Sequence, residues 1–106
     1  MKTRTETEYI QQLISEGEHI QQDFKFAISD ARKIARSISA FANTQGGRLL
    51  IGVKDNGKIA GVRSEEEIYM IEAAARMYCR PQVELENYIY LKSATKLFSV
   101  LLASKR

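Results

Sequence analysis

Residues 47–62 read GRLLIGVKDNGKIAGV and are the most informative stretch of the chain. Between Arg48 and Lys54, four large apolar residues follow almost in succession, which is typical of a central strand buried on both faces of a sheet. The Asn56-Gly57 pair then predicts a tight hairpin turn in which both residues take positive φ. Residues 59–62 would form the return strand. The stretch therefore predicts a buried strand that continues into a small hairpin.

An alternating pattern precedes this stretch, in residues 20–28. Alternation of apolar and polar side chains predicts a strand with one buried face. Asp23 and Lys25 would share the exposed face. The side chains expected on the buried face are Phe24, Phe26 and Ile28.

Apolar residues recur at helical spacing in three other segments. The first helix would begin at the T-x-x-E pattern of Thr5–Glu8, which is typical of a capping box. The second covers residues 31–42 and would end at Gly46-Gly47. The third would begin at another capping box, Ser64–Glu67, and stop before Pro81, which disfavours helix at the residue before it.

Two more apolar runs, residues 83–91 and 97–103, predict a final β-hairpin. The predicted order is helix, strand, helix, strand with a small hairpin, helix, strand, strand. This order is typical of an α+β fold with two layers, in which helices pack on a mixed β-sheet. We predict a single domain over residues 1–106, and an end so soon after the last strand suits the N-terminal part of a longer protein.

The chain is mildly basic, with a formal net charge of +3. Residues 30–62 hold six basic and two acidic side chains, so this third of the chain carries +4 and is the most electropositive part. A single cysteine, Cys79, cannot form an internal disulfide. The sequence shows neither an apolar signal core nor an apolar run long enough for a membrane helix, so we expect a cytoplasmic protein without a membrane partner.

Three carboxylates form the first candidate site: Glu18, Asp23 and Asp55. If the two strands that carry or follow them are neighbours, these acids would meet at one end of the sheet. Close carboxylates repel one another, and a divalent cation such as Mg²⁺ or Mn²⁺ relieves that repulsion. A metal held in this way can activate water against a phosphodiester. The alternative is that all three are solvated surface acids.

A set of basic residues forms the second candidate site, for which we expect contacts to nucleic-acid phosphates. Its members are Lys25, Arg32, Lys33, Arg36, Arg48, Lys54 and Lys58. The alternative is an ordinary solvated helix face. We expect the basic helix face and the three acids to open onto one groove that fits a phosphodiester strand.

Other residues have simpler interpretations. The glycines between residues 46 and 61 do not form a P-loop, because Val53 stands where that motif has lysine. His19 is expected to be a surface histidine rather than a proton-transfer group, and Cys79 a packed core thiol. Tyr88 and Tyr90 share one strand face, where they would either stack on bases or be covered by the N-terminal helix.

Three blocks of the sequence resemble the signature of Schlafen-type AlbA domains. Residues 18–25, EHIQQDFK, resemble the pattern E-x-x-x-x-E-[FY]-K. Residues 38–47, ISAFANTQGG, are similar to the AFANTxGG block, and residues 50–57, LIGVKDNG, with Gly61-Val62 are similar to the GVxDxG…G block. The resemblance spans residues 9–104.

The resemblance implies an α+β fold related to the Alba nucleic-acid-binding fold. Bacterial members are labelled DNA-binding proteins or transcriptional regulators, and sometimes ATP-binding proteins. Some animal relatives are metal-dependent endoribonucleases that act on tRNA and rRNA, and their catalytic acids match Glu18, Asp23 and Asp55. This chain departs from the pattern at Asp23, where the family has glutamate.

We therefore expect a nucleic-acid-binding module with DNA or RNA as its partner. The first alternative is a metal-dependent endoribonuclease that uses the three acids with Mg²⁺ or Mn²⁺. The second is an ATP-binding or dimerisation module, in which exposed strand edges would pair two copies of the chain.

Overall fold

The computed structural model describes residues 3–5, 8–26, 31–93 and 96–105. This part of the chain forms three helices and one five-stranded sheet. The elements in chain order are β1 (Thr3–Thr5), α1 (Glu8–Glu16), β2 (Gln22–Lys25), α2 (Ala31–Ala42), β3 (Gly47–Ile51), α3 (Glu65–Tyr78), β4 (Leu85–Ser93) and β5 (Lys96–Ala103).

The strands lie in the order β1-β4-β5-β3-β2. β1 pairs with β4 and β2 with β3 in parallel, whereas β5 is antiparallel to both β3 and β4. The sheet is therefore mixed, and the predicted α+β class with helices packed on a mixed sheet is confirmed. The final β-hairpin is also confirmed, although its turn residues 94–95 lie outside the described residues.

Both faces of the sheet are covered, because consecutive apolar side chains of the buried strand β3 point to opposite faces. Leu49 and Ile51 pack with residues of α2 and α3 in one core cluster. Leu50 points the other way, into a second cluster with Ile10 and Leu13 of α1. The predicted burial of this strand on both faces is confirmed. The prediction of two layers is incomplete, since α1 and the hairpin after β3 form a third layer over the second face.

The turn between α2 and β3 places the strand directly under the helix. The carbonyl oxygen of Phe41 accepts hydrogen bonds from the N–H groups of Thr44 at 3.1 Å and Gly46 at 2.7 Å. Gly46 has a φ of 80°, which a residue with a side chain rarely adopts. The chain then runs under the ring of Phe41, and a Cβ on Gly47 would lie 2.5 Å from two ring atoms. A glycine pair is thus needed here for two different reasons.

The hairpin after β3 differs from the prediction. Among the described residues, positive φ occurs only at glycines, so Asn56 does not take the conformation expected of a two-residue turn. Instead, Gly57 has a φ of 85° and donates to the carbonyl of Lys54 at 2.8 Å, while Lys54 donates to Lys58 at 2.9 Å. This is a three-residue loop closed by a left-handed glycine. The predicted return strand is reduced to two isolated bridges, at Ile59 and Val62.

Two predicted boundaries are also wrong, and one predicted cap lacks its side-chain hydrogen bond. Strand β2 ends at Lys25, so Phe26 is exposed rather than buried, and Ile28 lies outside the described residues. Thr5 belongs to β1, so the first helix begins at Glu8 and not at a Thr5 cap. Ser64 does precede α3, but its side chain makes no capping bond. In the described ranges, no helix combines the length and hydropathy of a membrane span.

Candidate nucleic-acid interface

Glu18 and Asp23 meet at the free edge of the sheet. β2 is the last strand in the order, so the N–H of Phe24 has no neighbouring strand to bond. This N–H donates to Oε2 of Glu18 at 3.2 Å and to Oδ1 of Asp23 at 3.0 Å. The two carboxylates therefore occupy the position of a missing strand.

The backbone of Gln22 is closed off in the same way. Its N–H donates to the carbonyl of His19 at 3.0 Å, and its carbonyl accepts from the N–H of His19 at 2.9 Å. An edge whose polar groups are already bonded offers little to a second chain. This disfavours dimerisation through β2. The side chain of His19 contacts Glu16 at 3.1 Å on the surface, as expected of a surface histidine.

The pKa values of the two acids move in opposite directions. The hydrogen bond with Asp23 and burial raise the pKa of Glu18, helped by the charges of Asp23 and Asp55 and opposed by the Phe24 N–H. Burial pushes the pKa of Asp23 upward, but the hydrogen bonds from Glu18 and Lys25 outweigh it, so the pKa of Asp23 is lowered. Glu18 is therefore the member of the pair that takes up a proton first as the pH falls.

We expect the Glu18→Gln variant to be slightly more stable than the wild type at pH 7. A raised pKa means that ionising Glu18 costs stability as the pH rises through its folded-state value. An amide avoids that cost, still accepts from Phe24 and can donate to Asp23. Because Glu18 is exposed, we expect a gain below about 1 kcal/mol.

Thermal unfolding of this variant at several pH values checks the prediction. The gain over the wild type should vanish toward acidic pH, where Glu18 is protonated, and stability that depends on ionised Asp23 should be lost in both proteins as the pH falls through its lowered pKa. Replacing the exposed Glu84 by glutamine gives a control outside the pair. A loss of stability at pH 7, specific to Glu18→Gln, would contradict the coupling described here.

Two of the seven predicted phosphate-binding residues are held in ion pairs. Nζ of Lys25 lies 3.1 Å from Oδ2 of Asp23. Arg48 donates from Nη2 to Glu16 at 3.1 Å and from Nε to Oε1 of Gln22 at 2.9 Å. Both cations therefore stabilise the fold around β2 and are less available to a ligand than sequence spacing suggested.

Two further cations lie over aromatic rings. The guanidinium carbon of Arg32 is 5.6 Å from the ring centre of Tyr78, and Nζ of Lys54 is 5.1 Å from the ring centre of Phe26. The remaining three are exposed and have no ion-pair partner in residues 8–26, 31–93 and 96–105. These are Lys33, Arg36 and Lys58.

The basic and acidic residues open onto different depressions on the two flanks of α2. An acidic groove of about 430 Å³ runs between α2 and the start of β2, with Glu18 and Asp23 facing Ser37 and Thr44. A basic hollow of about 270 Å³ lies on the α3 side, lined by Arg32, Ala35, Arg36, Ser39 and Tyr78. The expectation of one common groove is therefore wrong for Arg32 and Arg36.

A family model described as Schlafen, AlbA_2 matches residues 16–104, which is most of the chain. The chain belongs to this family. Membership indicates a domain connected with nucleic acids. No curated protein matches the chain.

The Schlafen AlbA_2 blocks have clear structural roles in this chain. The first block closes the edge of β2 through Glu18 and Asp23. The second makes the turn that seats Gly47 under the ring of Phe41. In the third, Gly52 donates to the carbonyl of Lys25 at 2.7 Å, and a Cβ on it would lie 3.2 Å from the backbone of Gly61. These glycines serve close backbone packing, which gives the ATP-binding label no support.

The metal site of the nuclease relatives does not fit these residues as they lie. Within the described part of the chain, no three His, Cys, Asp or Glu side chains are close enough to hold an ion. Asp55 influences Glu18 only through its charge, and the ammonium of Lys25 already neutralises Asp23. We therefore derive no catalytic step for Glu18, Asp23 and Asp55.

The remaining candidates turn out to be core residues. Tyr90 is buried against Phe98, with ring centres 5.3 Å apart, in the cluster that α1 covers. Tyr88 is partly buried beside it. Cys79 is buried, and its thiol donates to the carbonyl of Ala35 at 3.4 Å, as expected of a packed core thiol.

Three important side chains were not singled out from the sequence. The sequence predicts Phe26 on the buried face of its strand and places Tyr78 within the third helix, yet both rings are exposed beneath a cation. Gln22 is buried and bonds two separate segments, the end of α1 and strand β3. A glutamine that breaks an apolar alternation gives a weak signal of such a role, whereas the exposure of the two rings depends on where elements end.

Proposed function

We propose that this chain is a nucleic-acid-binding domain that holds the phosphate backbone through basic side chains on the outer side of α2 and on the hairpin. The proposal rests on the exposure of these basic side chains and on their lack of ion-pair partners among the described residues. Lys33, Arg36 and Lys58 are exposed without ion-pair partners in the described residues. Membership of the Schlafen AlbA_2 family supports the same conclusion.

Backbone contacts of this kind give affinity without reading sequence, because every nucleotide carries the same phosphate. Binding of this type releases counterions, so it weakens steeply as salt rises. A role in a transcriptional regulator would require recognition of base sequence in addition to these backbone contacts. We propose only the contacts to the phosphate backbone, which we call the phosphate grip.

The test is a titration of labelled DNA and RNA at about 50 mM and about 200 mM salt. We expect the Lys33→Gln/Lys58→Gln double variant to bind more weakly and to lower the slope of log K against log salt by about 2, since each lost phosphate contact removes about 1. The Arg63→Gln/Lys105→Gln variant removes the same charge from residues outside α2 and the hairpin loop. Lys105 follows β5 at the end of the sheet opposite the hairpin, since Ala103 pairs with Gly47.

The matched control should keep the slope of the wild type. The proposed phosphate contacts would be contradicted if affinity did not change between the two salt concentrations. They would also be contradicted if the two double variants had equal effects. The same titration with Mn²⁺ checks the nuclease alternative. Strand cleavage that requires Glu18 would replace the binding role by an enzymatic one.

A further inference from the structure

Two aromatic rings stand at the surface, each beneath a positive charge. Tyr78, at the end of α3, is 45% exposed and carries Arg32 over its ring. Phe26, directly after β2, is 46% exposed and carries Lys54 over its ring. Exposing an aromatic ring to water costs free energy, and aromatic rings are the side chains on which nucleic-acid bases stack.

The surroundings of Tyr78 favour an anionic ligand. The basic hollow beside it is lined by Arg32, Arg36 and Ser39 among others, and none of the described residues that line it is an Asp or a Glu. Its volume of about 270 Å³ is ample for a phosphate group. The ring of Phe26 lies near the hairpin that carries Lys54, and that hairpin also bears Asp55. The site at Tyr78 is therefore the more strongly cationic of the two.

The chain itself limits the distance between the two cation–ring pairs. Phe26 and Arg32 are six positions apart in the chain. Because six extended residues span about 20 Å at most, the Cα atoms of Phe26 and Arg32 lie no farther apart than that. A strand of a few nucleotides suffices to reach from one ring toward the other.

We propose that the ligand of this surface is single-stranded nucleic acid, with bases stacked on Tyr78 and Phe26 and phosphates on Arg32, Arg36 and Lys54. In a duplex the faces of the bases are hidden in the helix, so only a single strand can use the rings. This inference rests on the proposed function and adds the strand state of the ligand to it.

The experiment compares binding of a labelled single strand of about 12 nucleotides with its duplex at low salt. The wild type should prefer the single strand. Tyr78→Ala should weaken single-strand binding about tenfold or more and leave duplex binding nearly unchanged, whereas Tyr78→Phe should retain the affinity. Phe26→Ala should lower single-strand affinity in the same direction.

Tyr69 provides a matched control, because it is an exposed tyrosine on the same helix that bonds Glu65 and lies outside the basic hollow. Tyr69→Ala should bind as the wild type does. If Tyr78→Ala and Phe26→Ala both bind the single strand normally while salt dependence persists, the stacking proposal is overturned and the phosphate grip stands. If the wild type binds neither form at low salt, both proposals fail.

Discussion

Replacing Gln22 by alanine is expected to lower the free energy of unfolding by about 2–4 kcal/mol. Gln22 is 1% exposed and uses both ends of its amide. Its Nε2 donates to the carbonyls of Leu13 at 2.6 Å and Gly17 at 2.8 Å, near the end of α1, where a helix leaves its last carbonyls without partners inside the helix. Its Oε1 accepts from Arg48. The variant would leave all three groups without this partner.

Denaturant unfolding measures this loss, and two further variants separate its causes. Gln22→Met keeps the volume but removes the hydrogen bonds, so it should show most of the loss. Gln21→Ala removes a neighbouring glutamine whose one side-chain bond, to Gln45, is 3.4 Å long, and it should change stability by less than about 0.5 kcal/mol. A Gln22→Met protein as stable as the wild type would show that packing, and not hydrogen bonding, explains the burial of this residue.

The second large effect is expected at Gly47, where alanine should cost about 1–3 kcal/mol. A Cβ at this position would lie 2.5 Å from two ring atoms of Phe41 and 3.0 Å from the carbonyl oxygen of Gln21. Phe41 is itself buried between α2 and the sheet, so its ring cannot move aside without disturbing the core. Calorimetric or denaturant unfolding of Gly47→Ala gives the cost.

A double-mutant cycle identifies the contact responsible. Phe41→Leu alone should be destabilising because it leaves space in the core. Combined with Gly47→Ala, it makes room for the new methyl group, so the double variant should lose less stability than the two single variants together. Strict additivity would mean that the cost at Gly47 comes from the Gln21 carbonyl or from the backbone instead of the ring.

The sequence predicted best those helices and strands whose apolar residues follow a regular pattern. The apolar run of β3 and the stripe of α2 leave each segment few ways to bury its side chains, and both predictions are confirmed. Turn details were predicted less well. Asn56-Gly57 fits two hairpin geometries that differ by one residue in loop length, and the choice depends on how Val53 and Ile59 pair across the hairpin.

The candidate site was predicted in part, for a related reason. Spacing correctly brought Glu18 and Asp23 to one end of β2, because both are close in the chain. It could not decide which flank of α2 faces α3, since that depends on the packing of two helices that lie far apart in sequence. In the folded domain, Arg32 and Arg36 lie on the flank of α2 beside Tyr78, away from the acids.

The double role of the acids beside Phe24 affects how mutants of such domains are interpreted. Alanine at Glu18 or Asp23 takes away a candidate chemical group and also leaves a backbone amide without its acceptor. A variant that has lost activity through local unravelling would look the same as one that has lost a catalytic group. Amide replacements, which keep an oxygen facing that amide, separate damage to the scaffold from damage to the chemistry.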